Sequence, residues 1–498
     1  MNFLSKWRWE LLSPLAGMLL TLSFAPFNYS YLAVISLVFT FLSWLGISPG
    51  RAVLRGYLFG LGLFGSGISW VFISVHDYGG APFFGAVLLT ILVVCFWAVF
   101  PALTGYLSVK IAGKQSKATL IWIVPFIWIL VEYFRGYWLL NGFPWLQIAY
   151  TQLQMPLQGF VPVLGVYGTG FLLALSASLI VAGFRRYIRC RNAIISIILL
   201  WGIGGYLQTI QWTQPKGEAI NVALIQGNVA QDQKWLVKNR LKTLVDYQGM
   251  TAQNWDSDII VWPETAIPAY LSQVKEFYLD PLSAKAKAHN TDLIVSLPAT
   301  GKQNEYFNTV LTLGKHEGRY DKNHLLPFGE YLPLQPLSGF VLDLLNIRLG
   351  DFTSGGNNQK LLQAGGYPFA TSICYEDAFG GEAIRAMPAA AFLVNVTNDA
   401  WFGDSIEPHQ HMQLAQMRAL ETGRYMLRAT NTGVTAIIGP DGRIVKKVPM
   451  FKKAVLKGRI FPMGGMTPYA RLGDGIVVSV TGFLLLILLG YYARKKQQ

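Results

Sequence analysis

Long apolar segments recur through roughly the first 210 residues of this 498-residue chain, and one more lies close to its carboxyl end. Segments of about 20 apolar residues match the thickness of a bilayer core, so the pattern predicts about eight membrane-spanning helices. We place them at residues 11–24, 31–45, 57–75, 83–109, 119–134, 161–184, 193–210 and 475–493. Because several apolar segments follow the first one, we interpret it as an anchor and not as a cleaved signal peptide.

Lysine and arginine residues cluster in alternate connections between these segments. The clustered residues are Lys6, Arg8, Arg51, Arg55, Lys110, Lys114, Lys117, Arg185, Arg186, Arg189, Arg191, Arg494, Lys495 and Lys496. The opposite connections 24–30 and 76–81 carry neither residue type, and Arg135 is the main exception. Because basic connections stay on the cytoplasmic face, we predict that both termini are cytoplasmic. The region 211–474 then lies on the far face, which in a bacterium is the periplasm.

The pattern changes from about residue 218, where short β-rich runs alternate with polar and helical stretches. We predict strands at 221–225, 258–261, 292–297, 309–313, 369–373, 391–396 and 434–438, and helices at 235–253 and 412–427. This alternation is typical of an α/β domain. The chain is therefore divided into a transmembrane domain at 1–212 with about seven spans, a soluble domain at 218–470 and a carboxyl-terminal transmembrane helix at 474–493.

The composition agrees with a membrane protein. The chain is 52% hydrophobic and only 14% charged, whereas soluble proteins carry roughly 25% charged residues. A net charge of +14 could indicate a nucleic-acid partner. Because the basic residues lie at the predicted membrane edges, we interpret the charge as a sign of topology and expect no nucleic-acid partner.

Cysteine use singles out Cys374, the one cysteine of the soluble domain. The other two, Cys95 and Cys190, lie in or beside the predicted spans, and the three form neither a disulfide framework nor a zinc cluster. Cys374 is either a small buried hydrophobe at a strand end or a nucleophile. A nucleophilic thiol needs a base and a cation or hydrogen-bond donors for the oxyanion. Glu264 and Lys322 could fill these roles, but their spacing does not show whether the fold brings them together.

Two further polar groups have competing interpretations. Glu264, Lys322 and Glu330 could simply form ion pairs at the surface. His409 and His411 form an HxH pair that could bind a metal, but no third ligand is evident and we favour a solvated loop. We therefore predict no metal site.

Three short motifs occur in a fixed order along the soluble domain. They are WPE at 262–264, YDKNHLLPFGE at 320–330 and CYE at 374–376. In this order they resemble the nitrilase superfamily, whose members use a Glu–Lys–Cys triad. With predicted spans on both sides, the whole chain resembles the membrane-embedded branch of that superfamily, the apolipoprotein N-acyltransferase family. The resemblance implies a multi-pass helical bundle joined to an αββα sandwich, with no cofactor.

The resemblance also implies a role for each matching residue. Glu264 would act as the general base, Lys322 would stabilise the oxyanion, and Cys374 would carry the acyl group as a thioester. The implied supporting residues, which orient Lys322 or shape the site, are Glu330, Tyr375 and Glu376. Trp235 resembles a substrate-contacting position.

The implied reaction moves an acyl chain from a phospholipid donor to the amino terminus of a diacylglyceryl-modified lipoprotein. The implied enzyme is a monomer of the bacterial inner membrane whose catalytic domain is periplasmic. One alternative is a membrane-tethered amidase, although a small soluble substrate would not require so many spans. Another is a transporter or lipid-binding protein, but the spans carry few charged residues at mid-depth.

The stretch 332–345, directly after Glu330, is unusually apolar for a soluble domain. We predict that it forms a flap that dips toward the bilayer and shelters the thioester, with Phe340 and Leu344 in contact with substrate. The alternative is ordinary core packing.

Overall fold

The structure, a computed structural model, describes residues 3–113, 117–302, 305–333 and 351–497. It separates into two compact units. The helical unit contains the chain up to Phe72, Phe83–Gln211 and the segment from Leu472 onward, and the α/β unit combines Ile73–Pro82 with Trp212–Arg471. The predicted flap residues Phe340 and Leu344 lie outside the described residues.

The helical unit holds the apolar segments. Its long helices are Phe3–Thr21, Tyr31–Ser43, Pro49–Gly67, Phe83–Ala112, Lys117–Tyr133, Val161–Phe184 and Cys190–Leu207, with Pro468–Gln497 at the carboxyl end. Each of the eight predicted segments overlaps one of them. By length and composition, five of the described helices could cross a membrane, or six if the bent pair Pro49–Gly67 and Val71–Tyr78 is one span. The count of about eight spans stays a prediction.

Glycines allow two of these helices to approach closely. A side-chain carbon at Gly62 would collide with the carbonyl oxygen of Pro14, and one at Gly17 would collide with that of Phe59. Small residues of this kind let helix backbones pack where lipid provides no hydrophobic driving force. The pair Phe3–Thr21 and Pro49–Gly67 is therefore held by direct backbone packing.

The α/β unit contains two six-stranded sheets. In the first, the strands lie in the order β13 (Ala454–Ile460), β2 (Ile220–Gln226), β3 (Ile259–Val261), β4 (Asp292–Thr300), β5 (Tyr306–Gly314) and β6 (Gly318–Asp321). In the second, the order is β12 (Ile444–Lys447), β11 (Ala436–Ile438), β10 (Met426–Thr430), β9 (Phe392–Thr397), β8 (Tyr367–Ile373) and β7 (Leu362–Ala364). Strands β1 (Thr213–Pro215) and β14 (Met463–Gly465) form a separate antiparallel pair.

Alternation along β2 shows how the layers stack. Val222 and Leu224 pack with Phe369 and Val394 of the second sheet in one buried cluster. Their neighbours Ala223 and Ile225 point to the other face and pack with residues of the outer helices Val237–Ala252 and Asp280–Ala288. Helix Glu407–Thr422 covers the second sheet through another cluster. The predicted αββα sandwich is confirmed.

The predicted helix at 412–427 is partly wrong. The helix spans Glu407–Thr422 and ends at Gly423, whose φ of +62° lies in the left-handed region that favours glycine. The chain then enters β10, an interior strand of the second sheet. Met426 and Leu427 continue the apolar pattern of the helix, so the sequence does not reveal where the helix ends and the strand begins.

Candidate active site

The three predicted catalytic residues follow strand ends at corresponding edges of the two sheets. Glu264 comes three residues after β3, Lys322 directly after β6 and Cys374 directly after β8. Strands β2, β3 and β4 are parallel, and two antiparallel steps give β6 the same direction. Strands β8, β9 and β10 are likewise parallel. Carboxyl ends of parallel strands meet at one edge, where α/β proteins commonly bind ligands.

A chain of polar contacts joins the two glutamates and the lysine. The Nζ atom of Lys322 lies 2.8 Å from both carboxylate oxygens of Glu330. The side-chain amide of Asn308, on β5, donates to Glu264 at 2.7 Å and to Glu330 at 3.4 Å. The backbone N–H of Leu326 donates to the second oxygen of Glu330 at 2.8 Å. Glu330 therefore contacts Lys322 through both carboxylate oxygens, and its role in orienting Lys322 for catalysis stays a prediction.

Burial and charge set the protonation states of this group. Burial alone would lower the pKa of Lys322, but the Glu330 carboxylate outweighs it, with help from Glu264 and Glu376, and raises the pKa. Burial raises the pKa of Glu264, and Glu330 adds to this, whereas Lys322 opposes it. Lys322 is thus a permanent cation, and Glu264 is a carboxylate with increased affinity for a proton.

Cys374 sits in a strained turn between β8 and a short 3-10 helix, Cys374–Ala378. Its φ is +51°, in the left-handed region, which costs a non-glycine residue about 1–3 kcal/mol. Burial raises the pKa of its thiol well above the usual value, and Glu264 adds to this, while Lys322 opposes it. The thiol is therefore protonated at rest and lies within electrostatic reach of both a base and a cation.

Glu376 ties the nucleophile turn to the loop that carries Lys322. It accepts hydrogen bonds from the N–H groups of Ile373 and Asn323, each at 2.7 Å, from that of His324 at 3.0 Å, and from the Tyr320 hydroxyl at 2.9 Å. Burial nevertheless raises its pKa to about 7. These contacts connect the Cys374 turn to the backbone of the loop that carries Lys322. The supporting role of Glu376 in the site stays a prediction.

Tyr375 supports the same turn by packing. It is 4% exposed, and its ring lies 5.2 Å from that of Phe379 and 6.1 Å from that of His324, centroid to centroid. Trp235, in contrast, is 49% exposed just after the helix Gln231–Lys234. Because it is exposed, this aromatic surface is available to a ligand. Its predicted contact with substrate stays a prediction.

The sequence favours a solvated loop for the HxH pair, and this prediction is wrong. Both histidines belong to the helix Glu407–Thr422, and His411 is only 2% exposed. The His411 ring lies 2.9 Å from both Asp377 and Asp399. Burial and the nearby Arg428 would lower the pKa of His411, but the two carboxylates outweigh them and raise it to about 10. His411 is a buried imidazolium.

Arg428 is the second cation of this buried network. Its guanidinium donates to Asp377 at 2.9 Å, to Asp399 at 3.2 Å and to the side-chain oxygen of Asn395 at 2.6 Å. The Asn395 amide in turn donates to the carbonyl of Cys374 at 3.3 Å. Potential ligand atoms of Asp399, His411 and Glu407 do converge within 4.8 Å. Because two protein cations already pair with Asp377 and Asp399, we interpret the cluster as an ionic brace for the Cys374 turn.

Replacing His411 by glutamine is expected to destabilise the protein by roughly 3–5 kcal/mol near neutral pH, because buried carboxylates lose a partner. A cation whose pKa is raised by folding stabilises fully below its unfolded value of about 6.5. That contribution is lost as pH rises toward about 10, so the difference between wild type and variant should shrink over this range. The measurement is urea unfolding of the full chain in detergent. The half-buried His409 provides the control H409Q, and a pH-independent difference would contradict the assignment.

Three residues of the site were missed from the sequence. Asn308 lies within β5, and Asn395 lies within β9. Lys234 is adjacent to the singled-out Trp235 and is 3% exposed. Only this neighbour in sequence could have drawn attention to Lys234, since its burial is a property of the fold.

Comparisons with known proteins agree with both units. The family description "Apolipoprotein N-acyltransferase N-terminal domain" matches residues 16–179, and "Carbon-nitrogen hydrolase" matches residues 221–463. An apolipoprotein N-acyltransferase of Methylococcus capsulatus is 50% identical over 95% of both chains. That of Nitrosomonas europaea is 43% identical over 95% of this chain and 96% of its own. The crystal structure of Saccharomyces cerevisiae Nit3, of the nitrilase superfamily, covers 49% of this chain and 91% of its own at 17% identity and a TM-score of 0.38.

Proposed function

The chain belongs to the apolipoprotein N-acyltransferase family, and on that premise we propose that it moves an acyl chain from a phospholipid to a lipoprotein through a thioester on Cys374. The acceptor is the amino group of an amino-terminal, diacylglyceryl-modified cysteine. The observation that carries this proposal is the buried Lys322, which contacts the Glu330 carboxylate and interacts electrostatically with Glu264 and with Cys374, whose thiol is protonated. No cofactor takes part in the proposed steps.

In the first half-reaction the Cys374 sulfur attacks the ester carbonyl of the phospholipid. The thiol proton passes to Glu264 as the carbon–sulfur bond forms. The carbonyl oxygen becomes an oxyanion, which the fixed charge of Lys322 stabilises. The ester carbon–oxygen bond then breaks, and Glu264 returns the proton to the departing glycerol oxygen. A lysophospholipid leaves, and Cys374 carries the acyl group.

In the second half-reaction the neutral amine of the acceptor attacks the thioester. A carbon–nitrogen bond forms, and Glu264 takes a proton from the nitrogen. Collapse of the second oxyanion breaks the carbon–sulfur bond, and Glu264 returns the proton to sulfur. One carboxyl group therefore serves as base and then as acid in each half-reaction, which suits its raised pKa.

The cellular setting belongs to the same proposal. The basic connections support cytoplasmic termini and a periplasmic α/β unit in the bacterial inner membrane. A lipid donor and a lipid-modified acceptor both reside in a bilayer, so the apolar helices keep the enzyme with its substrates. The proposed enzyme acts as a monomer.

Intact mass measurement tests the proposed function. The full-length protein in detergent is incubated with a phospholipid of defined acyl chains, without acceptor. We expect the mass to rise by one acyl group, located on Cys374 and removed by neutral hydroxylamine, as a thioester requires. Subsequent addition of a diacylglyceryl lipopeptide should move the acyl group to the peptide amine. Continuous release of free fatty acid, with no transfer to the peptide, would indicate a hydrolase and would overturn the proposal.

A further inference from the structure

The site contains a second buried lysine that the proposed steps do not use. Lys234 is the last residue of the helix Gln231–Lys234 and is 3% exposed. Its Nζ atom donates to the backbone carbonyl of Glu264 at 3.1 Å. A buried lysine is rare because its charge loses hydration. Its position against the base of the reaction therefore requires an explanation.

Buried side-chain amides hold the short helix that carries this lysine. The Asn398 amide, at the end of β9, donates to Gln231 at 2.8 Å. The Asn431 side chain donates to Asn398 at 3.0 Å and exchanges two hydrogen bonds with the backbone of Val229, at 2.7 and 2.9 Å. The short helix that carries Lys234 is thus attached to strand ends of the second sheet. These bonds fix the helix whose last side chain donates to the Glu264 carbonyl.

The charges of the site show what a second cation would supply. Three buried or nearly buried carboxylates act electrostatically on Lys322, namely those of Glu264, Glu330 and Glu376. Lys322 alone would leave this group with an excess of negative charge in a poorly hydrated space. Such an excess favours protonation of a carboxylate, and Glu264 must be unprotonated to accept the thiol proton. Lys234 adds a positive charge directly behind Glu264.

We propose that Lys234 is a positioning residue whose ammonium group keeps Glu264 in the carboxylate form and fixes its backbone, an inference that rests on the proposed function. The effect of Lys234 on Glu264 is to lower its pKa, against burial and Glu330. Burial in turn lowers the pKa of Lys234 to about 8, although Glu264 and Cys374 oppose this. Lys234 is therefore charged near neutral pH and becomes neutral in mildly alkaline solution.

The test compares K234M with K238M, which removes an exposed lysine four residues later. The rate of Cys374 acylation is followed from pH 5 to 9 at saturating phospholipid. We expect K234M to lose at least about tenfold in rate at pH 7 and its acidic limb to shift upward by about one pH unit, because Glu264 binds its proton more tightly. K238M should match wild type, and K234R should restore part of the rate. A uniform loss with an unmoved limb, or no loss, would overturn the inference.

A second measurement separates this inference from the proposed function. In a C95S/C190S background, alkylation of Cys374 by N-ethylmaleimide follows the thiolate fraction without any lipid. Lys234 is charged at pH 7 and favours the thiolate, but it is largely neutral at pH 9, above its pKa of about 8. K234M should therefore be alkylated more slowly than wild type at pH 7 and at the wild-type rate at pH 9. If wild type never forms an acyl-enzyme but alkylation of K234M is slower at pH 7 alone, the proposed function fails and the role of Lys234 stands. If acylation proceeds but neither its acidic limb nor the alkylation rate changes in K234M, the role of Lys234 fails and the function stands.

Discussion

The variant C374S is expected to form no acyl-enzyme and to transfer acyl groups at less than about one thousandth of the wild-type rate. A hydroxyl has a much higher pKa than a thiol, so the Glu264 carboxylate cannot ionise it effectively. The side chain is nearly isosteric, and the buried network around Asp377, Asn395 and Arg428 does not involve the sulfur. The fold should therefore survive.

The measurement is intact mass after incubation with phospholipid, together with transfer to a diacylglyceryl lipopeptide. C190S is the matched control, since Cys190 is an exposed residue of the helical unit. That variant should load and transfer like wild type. Robust turnover by C374S, or an acyl group found on another residue of the wild-type protein, would rule out Cys374 as the nucleophile.

The second large effect is expected for E264Q and K322M. Glutamine keeps the contact with Asn308 but cannot accept the thiol proton, so acylation should slow by roughly 10²–10⁴-fold. Methionine removes the fixed charge that faces the oxyanion, which costs about 10²–10³-fold. Both losses arise in the transition state, so phospholipid affinity should change little.

Single-turnover acylation and separate lipid-binding measurements distinguish these effects. E276Q and K275M alter two adjacent exposed residues of the same unit and serve as charge-matched controls. If E264Q or K322M loads Cys374 at the wild-type rate, the role assigned to that residue is wrong. If lipid binding is lost in parallel with acylation, the residue acts in binding.

The sheets were predictable because their interior strands are apolar runs. β3, β4 and β9 are buried on both faces, so apolar residues predominate and mark each strand in the sequence. The edge strands β6 and β12 carry exposed polar residues and resemble loops. β10 was hidden by the helix pattern before it. Periodicity therefore identifies the centre of each sheet better than its edges.

The proposed catalytic group was predictable only through ordered motifs. Glu264, Lys322 and Cys374 are far apart in sequence, and no periodicity reveals that three strand ends meet. The role of Asn308 could not be predicted, because the sequence does not show which carboxylates its amide contacts. His411 was misjudged because its helix is rich in polar residues, such as Gln410, Gln413 and Gln416, yet nearly all of them are buried. A polar helix usually indicates solvent, and here its polar groups meet buried partners.

The uncharged resting thiol of Cys374 has a consequence for covalent inhibitors. Alkylating reagents such as iodoacetamide need a free thiolate and should therefore label Cys374 slowly. A compound with an activated ester or a similar carbonyl, joined to a long alkyl chain, presents the group toward which Glu264 and Lys322 are directed. Attack would then draw the proton away as the bond forms. Selective inhibition should depend on mimicry of the acyl donor more than on intrinsic reactivity of the warhead.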